Sequence, residues 1–162
     1  LPIFFAEVRK HVSCRLVLAG PPPDSALATC IVEQSLSEHV DFVNDPSDAA
    51  ICELYRQARL LLFPSYYEGF GWPPLEAMAW GCPVVSSHNG SLAEVVGTAA
   101  LTADAADEPT HVTHAIKILS DRLTADQLVK AGHQQLHHFS IDRFRHNLLD
   151  VYRSVMPQLS QS

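Results

Sequence analysis

Short apolar runs alternate with longer segments of helical periodicity along most of this 162-residue chain. A short run that is apolar at nearly every position is typical of a strand buried on both faces of a parallel sheet. The strands predicted in this way are Arg15–Ala19, His39–Val43, Leu60–Phe63, Cys82–Ser86 and Ala99–Thr102. Because helices are predicted between them, we expect an α/β fold with a Rossmann-like, doubly wound parallel sheet, right-handed crossovers and helices on both faces.

Capping residues mark where the predicted helices begin. Ser47 or Asp48 is placed to cap a helix over Ala49–Ala58, and Ser140 precedes a last helix with an apolar stripe. Capping-box sequences stand at Ser91–Glu94 and Thr124–Gln127, and each predicts a helix start. The other predicted helices lie within Leu1–Val12 and over Ala26–Gln34, Leu75–Trp80, Pro109–Leu123 and Ala125–Phe139.

Composition and charge limit the classes of function. Hydrophobic residues make up 47% of the chain, and the length suits one domain, which we expect over residues 1–156 before a frayed tail at 157–162. The 11 Lys and Arg residues against 18 Asp and Glu give a net charge of −7. This balance offers no basic surface for nucleic acid or an anionic membrane, so any bound phosphate must be held locally by dipoles and amides.

Cysteine and histidine positions narrow the chemistry further. The four cysteines form no Cys-x-x-Cys pair and read as reduced thiols of a cytosolic protein; they are Cys14, Cys30, Cys52 and Cys82. Some histidines have helical spacing, such as His111 and His114, but no cysteine or carboxylate cluster joins them, so no metal site is predicted. No apolar run approaches the ~20 residues of a membrane-spanning helix.

The segment Arg59–Ser87 combines a buried strand, a glycine-rich loop, a proline-started helix and a second buried strand. Ligands of parallel sheets bind beyond the carboxyl ends of the strands, and a helix N-terminus at that edge suits a phosphate or diphosphate. Glu68 and Glu76 flank this anion site, and their carboxylates can accept hydrogen bonds from hydroxyl groups. A diphosphate next to a polyol is the chemistry of a nucleotide-sugar.

The residues from Pro64 to Val85 form a specific pattern, Pro-Ser-x-x-Glu-Gly-Phe-Gly-x-Pro-x-Leu-Glu-Ala-Met-Ala-x-Gly-x-Pro-Val-Val. This pattern resembles the Glu-x7-Glu signature of the retaining glycosyltransferases of family 4, also called group 1, which have the GT-B fold. The resemblance continues through Ser91–Gly97 and extends more loosely over Arg15–Tyr152. It implies that the chain is the C-terminal, nucleotide-sugar donor-binding half of a GT-B architecture.

The resemblance also implies roles for residues of the pattern. Glu68 is the expected catalytic residue, in contact with hydroxyls of the transferred sugar, and Glu76 is expected to hold the ribose diol. The backbone amides expected to face the sugar and phosphates are those of Gly69, Phe70 and Gly71, with Leu75 at the diphosphate. The simpler alternative is that Glu76 only complements the helix dipole and that Glu68 is a solvated loop residue.

Loops at the other strand ends are candidates for the rest of the donor. The candidates for contact with the nucleotide base are Gly20, Val43 and Asn44. The candidates that would border the phosphates are Asn89 and Gly90, at the carboxyl end of the next strand. Each of these loops can equally be a plain turn. Trp72, Tyr66 and Tyr67 either shape the sugar pocket or cap the edge of the sheet, and for Tyr66 we favour the edge.

The family has an earlier strand that supplies an arginine and a lysine to the diphosphate, and an acceptor domain before it. Neither is visible in this sequence, so we expect a fragment of a longer chain whose sheet lacks its first strand. The doubly wound order places that strand at the centre of the sheet. Its loss would leave a slot lined by unpaired backbone groups. The acceptor, and any membrane contact at the inner face, would then belong to the missing N-terminal domain of a cytoplasmic enzyme.

The resemblance implies transfer of a hexose, with retention, to a glycan or a lipid-linked acceptor of polysaccharide biosynthesis. The sequence resembles mannosyltransferases in particular, which favours GDP-mannose as the donor. A UDP-hexose is the second candidate. No cofactor or metal is expected, and the chain contains no Asp-x-Asp. Two alternatives stay open: a non-catalytic nucleotide-sugar-binding module, and a GT-B epimerase or phosphorylase. The G-x-G-x-x-G fingerprint of nicotinamide dehydrogenases and the G-x-S-x-G elbow of serine hydrolases are both absent.

Overall fold

The computed structural model describes residues 2–156, which form parallel strands alternating with helices. The strands are β1 (Leu16–Gly20), β2 (Val40–Asn44), β3 (Leu61–Phe63), β4 (Val84–Ser87) and β5 (Leu101–Ala103). The α-helices are α1 (Pro2–Arg9), α2 (Ser25–Glu33), α3 (Asp48–Gln57), α4 (Trp72–Ala79), α5 (Leu92–Val96), α6 (Glu108–Ser120), α7 (Arg122–Leu136) and α8 (Ile141–Val155). The α/β fold class predicted from the sequence is confirmed, and every predicted strand is present.

The strands form two parallel sheets. One sheet has the order β1-β2, and the other has the order β3-β4-β5. Within residues 2–156 no strand of one sheet pairs with a strand of the other. In the doubly wound order the first strand would lie between these two groups. The interruption therefore agrees with the expectation that the sheet lacks its first strand.

Strand β4 is the centre of the larger sheet, between β3 and β5. Its four residues are all fully buried, because α4 and α5 cover one face and α6 covers the other, and α7 packs against both α4 and α6. Helix α7 approaches α4 so closely that a Cβ at Gly132 would lie 2.9 Å from the side chain of Met78. This packing fixes α4, and with it the loop that precedes α4, relative to the sheet.

Three of the four predicted capping residues stand at helix starts, namely Ser47, Ser91 and Ser140, whereas Thr124 does not. Ser47 accepts a hydrogen bond from the amide of Ala50, and Ser140 accepts one from Arg143, as expected of N-caps. Helix α6 ends earlier than predicted, and Asp121 rather than Thr124 caps α7. The carboxylate of Asp121 accepts hydrogen bonds from both the Leu123 amide and the Thr124 hydroxyl, so Thr124 supports the cap without being it.

The capping box predicted at Ser91–Glu94 does not form. Helix α5 does begin after Ser91, but the Ser91 hydroxyl accepts no hydrogen bond from α5 and instead contacts the loop that carries Glu68.

The apolar stripe of α8 is exposed along its whole length. No helix within residues 2–156 is long and apolar enough to cross a membrane. The predicted tail at 157–162 lies outside the described residues.

Candidate nucleotide-sugar site

The candidate site lies at the carboxyl ends of β3 and β4, where α4 begins. Gly71 is the N-cap of α4, and no side chain caps this end. Pro73 and Pro74 occupy the first turn and carry no amide hydrogen, so fewer backbone donors there need partners. Within residues 2–156, no protein group accepts a hydrogen bond from the amides of Gly69, Phe70 or Gly71. Free amides at a helix N-terminus can bind an anion.

The two glycines of this loop differ in what their surroundings allow. Gly71 has φ 101°, in the left-handed region, and a Cβ there would lie 2.5 Å from a methyl group of buried Leu92. Gly71 is therefore required by the fold itself. A Cβ at Gly69 would meet nothing within 4 Å, so the loop borders open space at Gly69. Leu75, the next residue with an amide after the prolines, buries its side chain in the core.

Glu68 is half-buried, and hydroxyl groups organise the loop around it. The hydroxyl of Ser65 donates to Oε1 of Glu68 at 2.8 Å. The hydroxyl of Ser87, at the end of β4, donates to the carbonyl oxygen of Ser65. The carboxylate is thus connected to the buried end of the sheet through two serines. Ser65 could have been found in the sequence, because it lies only three residues before Glu68.

Glu76 lies on the exposed side of α4, in the helix turn that follows the prolines. The hydroxyl of Tyr55, on α3, donates to Oε2 of Glu76 at 3.2 Å. Burial first, and then the carboxylate of Glu76, raise the pKa of Tyr55 well above its ordinary value, so the hydroxyl keeps its proton at neutral pH. Sequence reasoning missed this contact, because nothing in the sequence shows that α3 lies beside α4.

Asn89 and Gly90, in the loop after β4, lie beside the Glu68 loop. A Cβ at Gly90 would be 3.9 Å from the carbonyl oxygen of Glu68. The side chain of Asn89 is already used: its Nδ2 donates to Asp104 at 3.3 Å, and its Oδ1 accepts from the Ala105 amide at 2.9 Å. Hydrogen bonds from the Ala106 amide and from Asn89 lower the pKa of the Asp104 carboxyl. Asn89 therefore connects two loops through its side chain, and its carbonyl accepts a hydrogen bond from the Leu92 amide at 3.2 Å.

Gly20, Val43 and Asn44 lie together on the other sheet. Gly20 pairs with Asn44 at the carboxyl ends of β1 and β2, and the Gly20 carbonyl accepts a hydrogen bond from the Asp45 amide at 2.8 Å. A cleft of about 490 Å³ has Gly20 in its walls together with Pro21–Pro23 and Phe42, whereas Val43 and Asn44 do not line it. The predicted site residues thus form two groups at carboxyl strand ends, one on each sheet.

Aromatic residues surround the Glu68 loop. Tyr66, Tyr67 and Trp72 are 71%, 80% and 63% exposed. Phe70 packs against Trp72 with a centroid distance of 4.7 Å and an angle of 47° between the rings, and it meets Phe139 edge-on at 5.7 Å. The expectation that Tyr66 caps the sheet edge is wrong, because a side chain with this exposure is not packed against the edge. These rings leave an apolar rim next to the carboxylate of Glu68.

The histidines of α6 are more buried than the sequence suggested. His111 is 1% exposed, its Nε2 pairs with the Asp104 carbonyl at 3.1 Å, and its Nδ1 has no hydrogen-bond partner among residues 2–156. Burial lowers the pKa of His111. His114 pairs with the carbonyl of Thr102. In the part of the chain that the structure describes, no three His, Cys, Asp or Glu side chains are close enough to hold a metal ion.

Comparison with known proteins identifies the family of this chain. The family model described as "Glycosyl transferases group 1" matches residues 4–135. The chain is 40% identical over 100 residues to the O-antigen chain mannosyltransferase B of Escherichia coli, an alignment that covers 62% of this chain and 26% of the relative. It is 40% identical over 91 residues to the MMP alpha-(1->4)-mannosyltransferase of Mycolicibacterium hassiacum, covering 56% of this chain and 22% of the relative. The chain therefore spans about a quarter of the length of these relatives.

A solved structure extends the likeness to nearly the whole chain. Sucrose-phosphate synthase from Thermosynechococcus elongatus superimposes with a TM-score of 0.77 at 26% identity, covering 97% of this chain and 42% of that protein. The neighbouring structures are GT-B glycosyltransferases, of which this chain matches one part. The chain belongs to the group 1 glycosyltransferase family, and its fold corresponds to the C-terminal domain of the GT-B architecture.

Proposed function

We propose that this chain binds the nucleotide-sugar donor of a retaining hexosyltransferase. The observation that carries the proposal is the set of unpartnered amides at Gly69, Phe70 and Gly71, which stand at an uncapped helix N-terminus between Glu68 and Glu76. The amides and the positive end of the α4 dipole would bind the diphosphate. The two carboxylates would accept hydrogen bonds from sugar hydroxyls on either side. A non-catalytic binding module would share this geometry, and the experiment below separates the two.

The proposed roles of the carboxylates follow from what holds each of them. Glu68 lies in the loop, where Ser65 fixes one oxygen and leaves the other for hydroxyls of the transferred sugar. Glu76 lies on the helix, where Tyr55 holds Oε2 and the remaining acceptor capacity faces the ribose diol. Charge that develops on the leaving diphosphate would be stabilised by the loop amides without reorganisation, which is the usual source of electrostatic catalysis.

Retention at the anomeric carbon is part of the proposal. The loop from Ser65 to Trp72 carries a single carboxylate, Glu68, and retaining hydrolysis through a covalent intermediate would require a pair. We therefore favour front-face displacement: the acceptor oxygen forms its bond to the anomeric carbon as the bond to the diphosphate breaks. The leaving phosphate oxygen accepts the acceptor's proton. Since the amides supply the positive potential, we propose that the site needs no resident metal ion or other cofactor.

The donor proposed is GDP-mannose. The support is that both relatives with 40% identity are named mannosyltransferases. The base would bind at the cleft beside Gly20, Val43 and Asn44, where the ends of β1 and β2 meet. UDP-hexoses are the next candidates. The acceptor is a glycan or a lipid-linked glycan, as the O-antigen name of one relative suggests, and it would be bound largely outside this domain.

We propose a cytoplasmic location, because all four cysteines are free thiols in the structure. Burial raises the pKa of the Cys82 thiol to about 12, so this thiol stays protonated. Contact with the inner face of the membrane would be made by parts of the protein outside this domain.

The experiment measures sugar transfer by the full-length gene product with Glu68→Ala, Glu76→Ala and the control Glu33→Ala. Glu33 is exposed at the far end of α2, away from the carboxyl ends of the strands. We expect Glu68→Ala to lower kcat by about 100-fold or more, as loss of a transition-state contact does. We expect Glu76→Ala mainly to raise the donor KM, and Glu33→Ala to behave as the wild type.

Equal and small effects of Glu68→Ala and Glu76→Ala would overturn the two roles. A product with inverted anomeric configuration, read by NMR, would overturn retention. Donor binding without transfer by the wild-type protein would identify a non-catalytic module instead.

A further inference from the structure

The hydroxyl of Ser91 contacts the loop that carries Glu68 rather than its own helix. Ser91 precedes α5 with φ −68° and ψ −20°, and its side chain makes no capping hydrogen bond. Its Oγ instead lies 2.9 Å from the carbonyl oxygen of Glu68 and 3.0 Å from that of Phe70. One hydroxyl proton is therefore shared between two carbonyls of the same loop. The Ser91 hydroxyl therefore donates to the Glu68 loop instead of making the capping hydrogen bond that the sequence predicts.

These two carbonyls determine where two amides point. A peptide unit is planar and trans, so its C=O and N–H directions are opposite. The Glu68 carbonyl belongs to the same peptide unit as the Gly69 amide, and the Phe70 carbonyl belongs to the unit of the Gly71 amide. When Ser91 holds both carbonyls on its side, the amides of Gly69 and Gly71 must point away from Ser91. Those are two of the three unpartnered amides of the candidate site.

The residues beside Ser91 support the same loop by contact. A Cβ at Gly90 would be 3.9 Å from the Glu68 carbonyl, and the Leu92 side chain fills the space next to Gly71. Ser91 is half-buried between them. Within residues 2–156, the Ser91 hydroxyl is the only side-chain donor to either carbonyl. A peptide flip at Gly69 or Gly71, which glycine permits at little steric cost, is opposed by this one hydroxyl.

We propose that Ser91 is a positioning residue of the donor site. Its hydroxyl holds the peptide units 68–69 and 70–71 so that the amides of Gly69 and Gly71 face the diphosphate and the transferred sugar. Ser91 does not touch the donor and acts only through the orientation of these amides. The inference rests on the proposed function for the identity of the ligand, but the orientation of the loop can be tested without it.

The test compares Ser91→Ala, Ser91→Thr and Thr124→Ala in the full-length gene product. Thr124→Ala is the matched control, since it also deletes a hydroxyl donor, the one to Asp121 at the start of α7. The readouts are kcat and KM with GDP-mannose, the melting temperature, and, without ligand, the 1H–15N residual dipolar couplings of the Gly69 and Gly71 amides, which report the direction of each N–H bond. We expect Ser91→Ala to lower kcat/KM for the donor about 10- to 100-fold, because misdirected groups lose transition-state stabilisation.

Ser91→Thr keeps the hydroxyl and should restore most of the activity, and Thr124→Ala should transfer sugar like the wild type. The residual dipolar couplings of the Gly69 and Gly71 amides should change in Ser91→Ala and stay close to the wild-type values in both other variants, because only Ser91→Ala releases the two carbonyls. Wild-type kcat/KM in Ser91→Ala, or unchanged couplings at Gly69 and Gly71, would overturn the proposal. If the wild-type protein neither binds nor transfers nucleotide-sugars, the proposed function fails, and the couplings alone then decide whether Ser91 holds the loop.

Discussion

Tyr55 on α3 donates its hydroxyl hydrogen bond to Oε2 of Glu76 on α4, across 3.2 Å. Tyr55 is half-buried against the core around α4 and β4, so its position is fixed by packing. Its raised pKa, caused first by burial and then by Glu76, keeps the phenol a donor over the neutral pH range. The pair leaves Glu76 with one oxygen committed to the protein and one free. An exposed glutamate is thereby restrained without being neutralised.

Removing the Tyr55 hydroxyl should weaken nucleotide binding. In Tyr55→Phe, the side chain of Glu76 loses its fixed orientation, and a hydrogen bond of this kind contributes about 1 kcal/mol, or roughly 5-fold in affinity. Calorimetry with GDP on the full-length gene product measures the change. Tyr152→Phe on exposed α8 is the control and should bind like the wild type. Wild-type affinity in Tyr55→Phe would show that Glu76 does not depend on Tyr55.

Replacement by alanine should lower the stability of the fold at Gly71 but the affinity for the donor at Gly69. Gly71→Ala forces a side chain into the left-handed region at φ 101°, with its Cβ 2.5 Å from Leu92. We expect a loss of about 2–3 kcal/mol in the free energy of unfolding. Gly69→Ala meets no atom within 4 Å, so stability should not change measurably, whereas donor affinity should fall because the methyl group occupies open space beside the amides. Urea denaturation and GDP-mannose titration measure both; equal stability of the two variants would contradict the structure.

His111 should make the fold sensitive to acid. Burial lowers the pKa of His111 in the folded state, while the groups facing it are the Asp104 carbonyl, Asp107, His114 and His88. The unfolded chain takes up a proton at this position as the pH falls through the ordinary histidine pKa of about 6.5, but the folded chain does so only at lower pH. Stability contributed by neutral His111 is therefore present above about pH 6.5 and is lost as the pH falls below that value.

The variant His111→Gln keeps an amide donor for the Asp104 carbonyl and cannot titrate. The difference in unfolding free energy between pH 7.5 and pH 5.5 should be smaller in this variant than in the wild type. Identical differences in the two proteins would show that His111 does not titrate on unfolding in this range.

The sequence predicts the strands and α4 well, because buried parallel strands leave continuous apolar runs and prolines mark a helix start. Prediction from the sequence fails where two interpretations of the same residues compete. Leu123 continues the apolar spacing of α6 and so hid the end of that helix, yet Leu123 is 66% exposed and Asp121 caps the next helix. The Ser91 capping box failed because two carbonyls of a distant loop compete for the hydroxyl, and no local pattern contains that information.

The candidate site shows the same division. Glu68, Glu76 and the glycines could be found from spacing and composition, since strand, loop and helix follow one another without interruption. Tyr55 and Asp104 could not, because each reaches the site from a different element. The division of the sheet into two parts is expected only from the family resemblance and the doubly wound order, because the order of strands along the chain does not by itself determine pairing.

Hydrogen exchange with bound donor tests the central claim most directly. The full-length gene product is compared with and without saturating GDP-mannose, and with UDP-glucose in parallel, with exchange resolved to single residues over 64–80. If the tip of α4 holds the diphosphate, the amides of Gly69, Phe70 and Gly71 should become strongly protected on binding. Saturable donor binding that leaves these amides exchanging at the rate of the free protein would contradict the account.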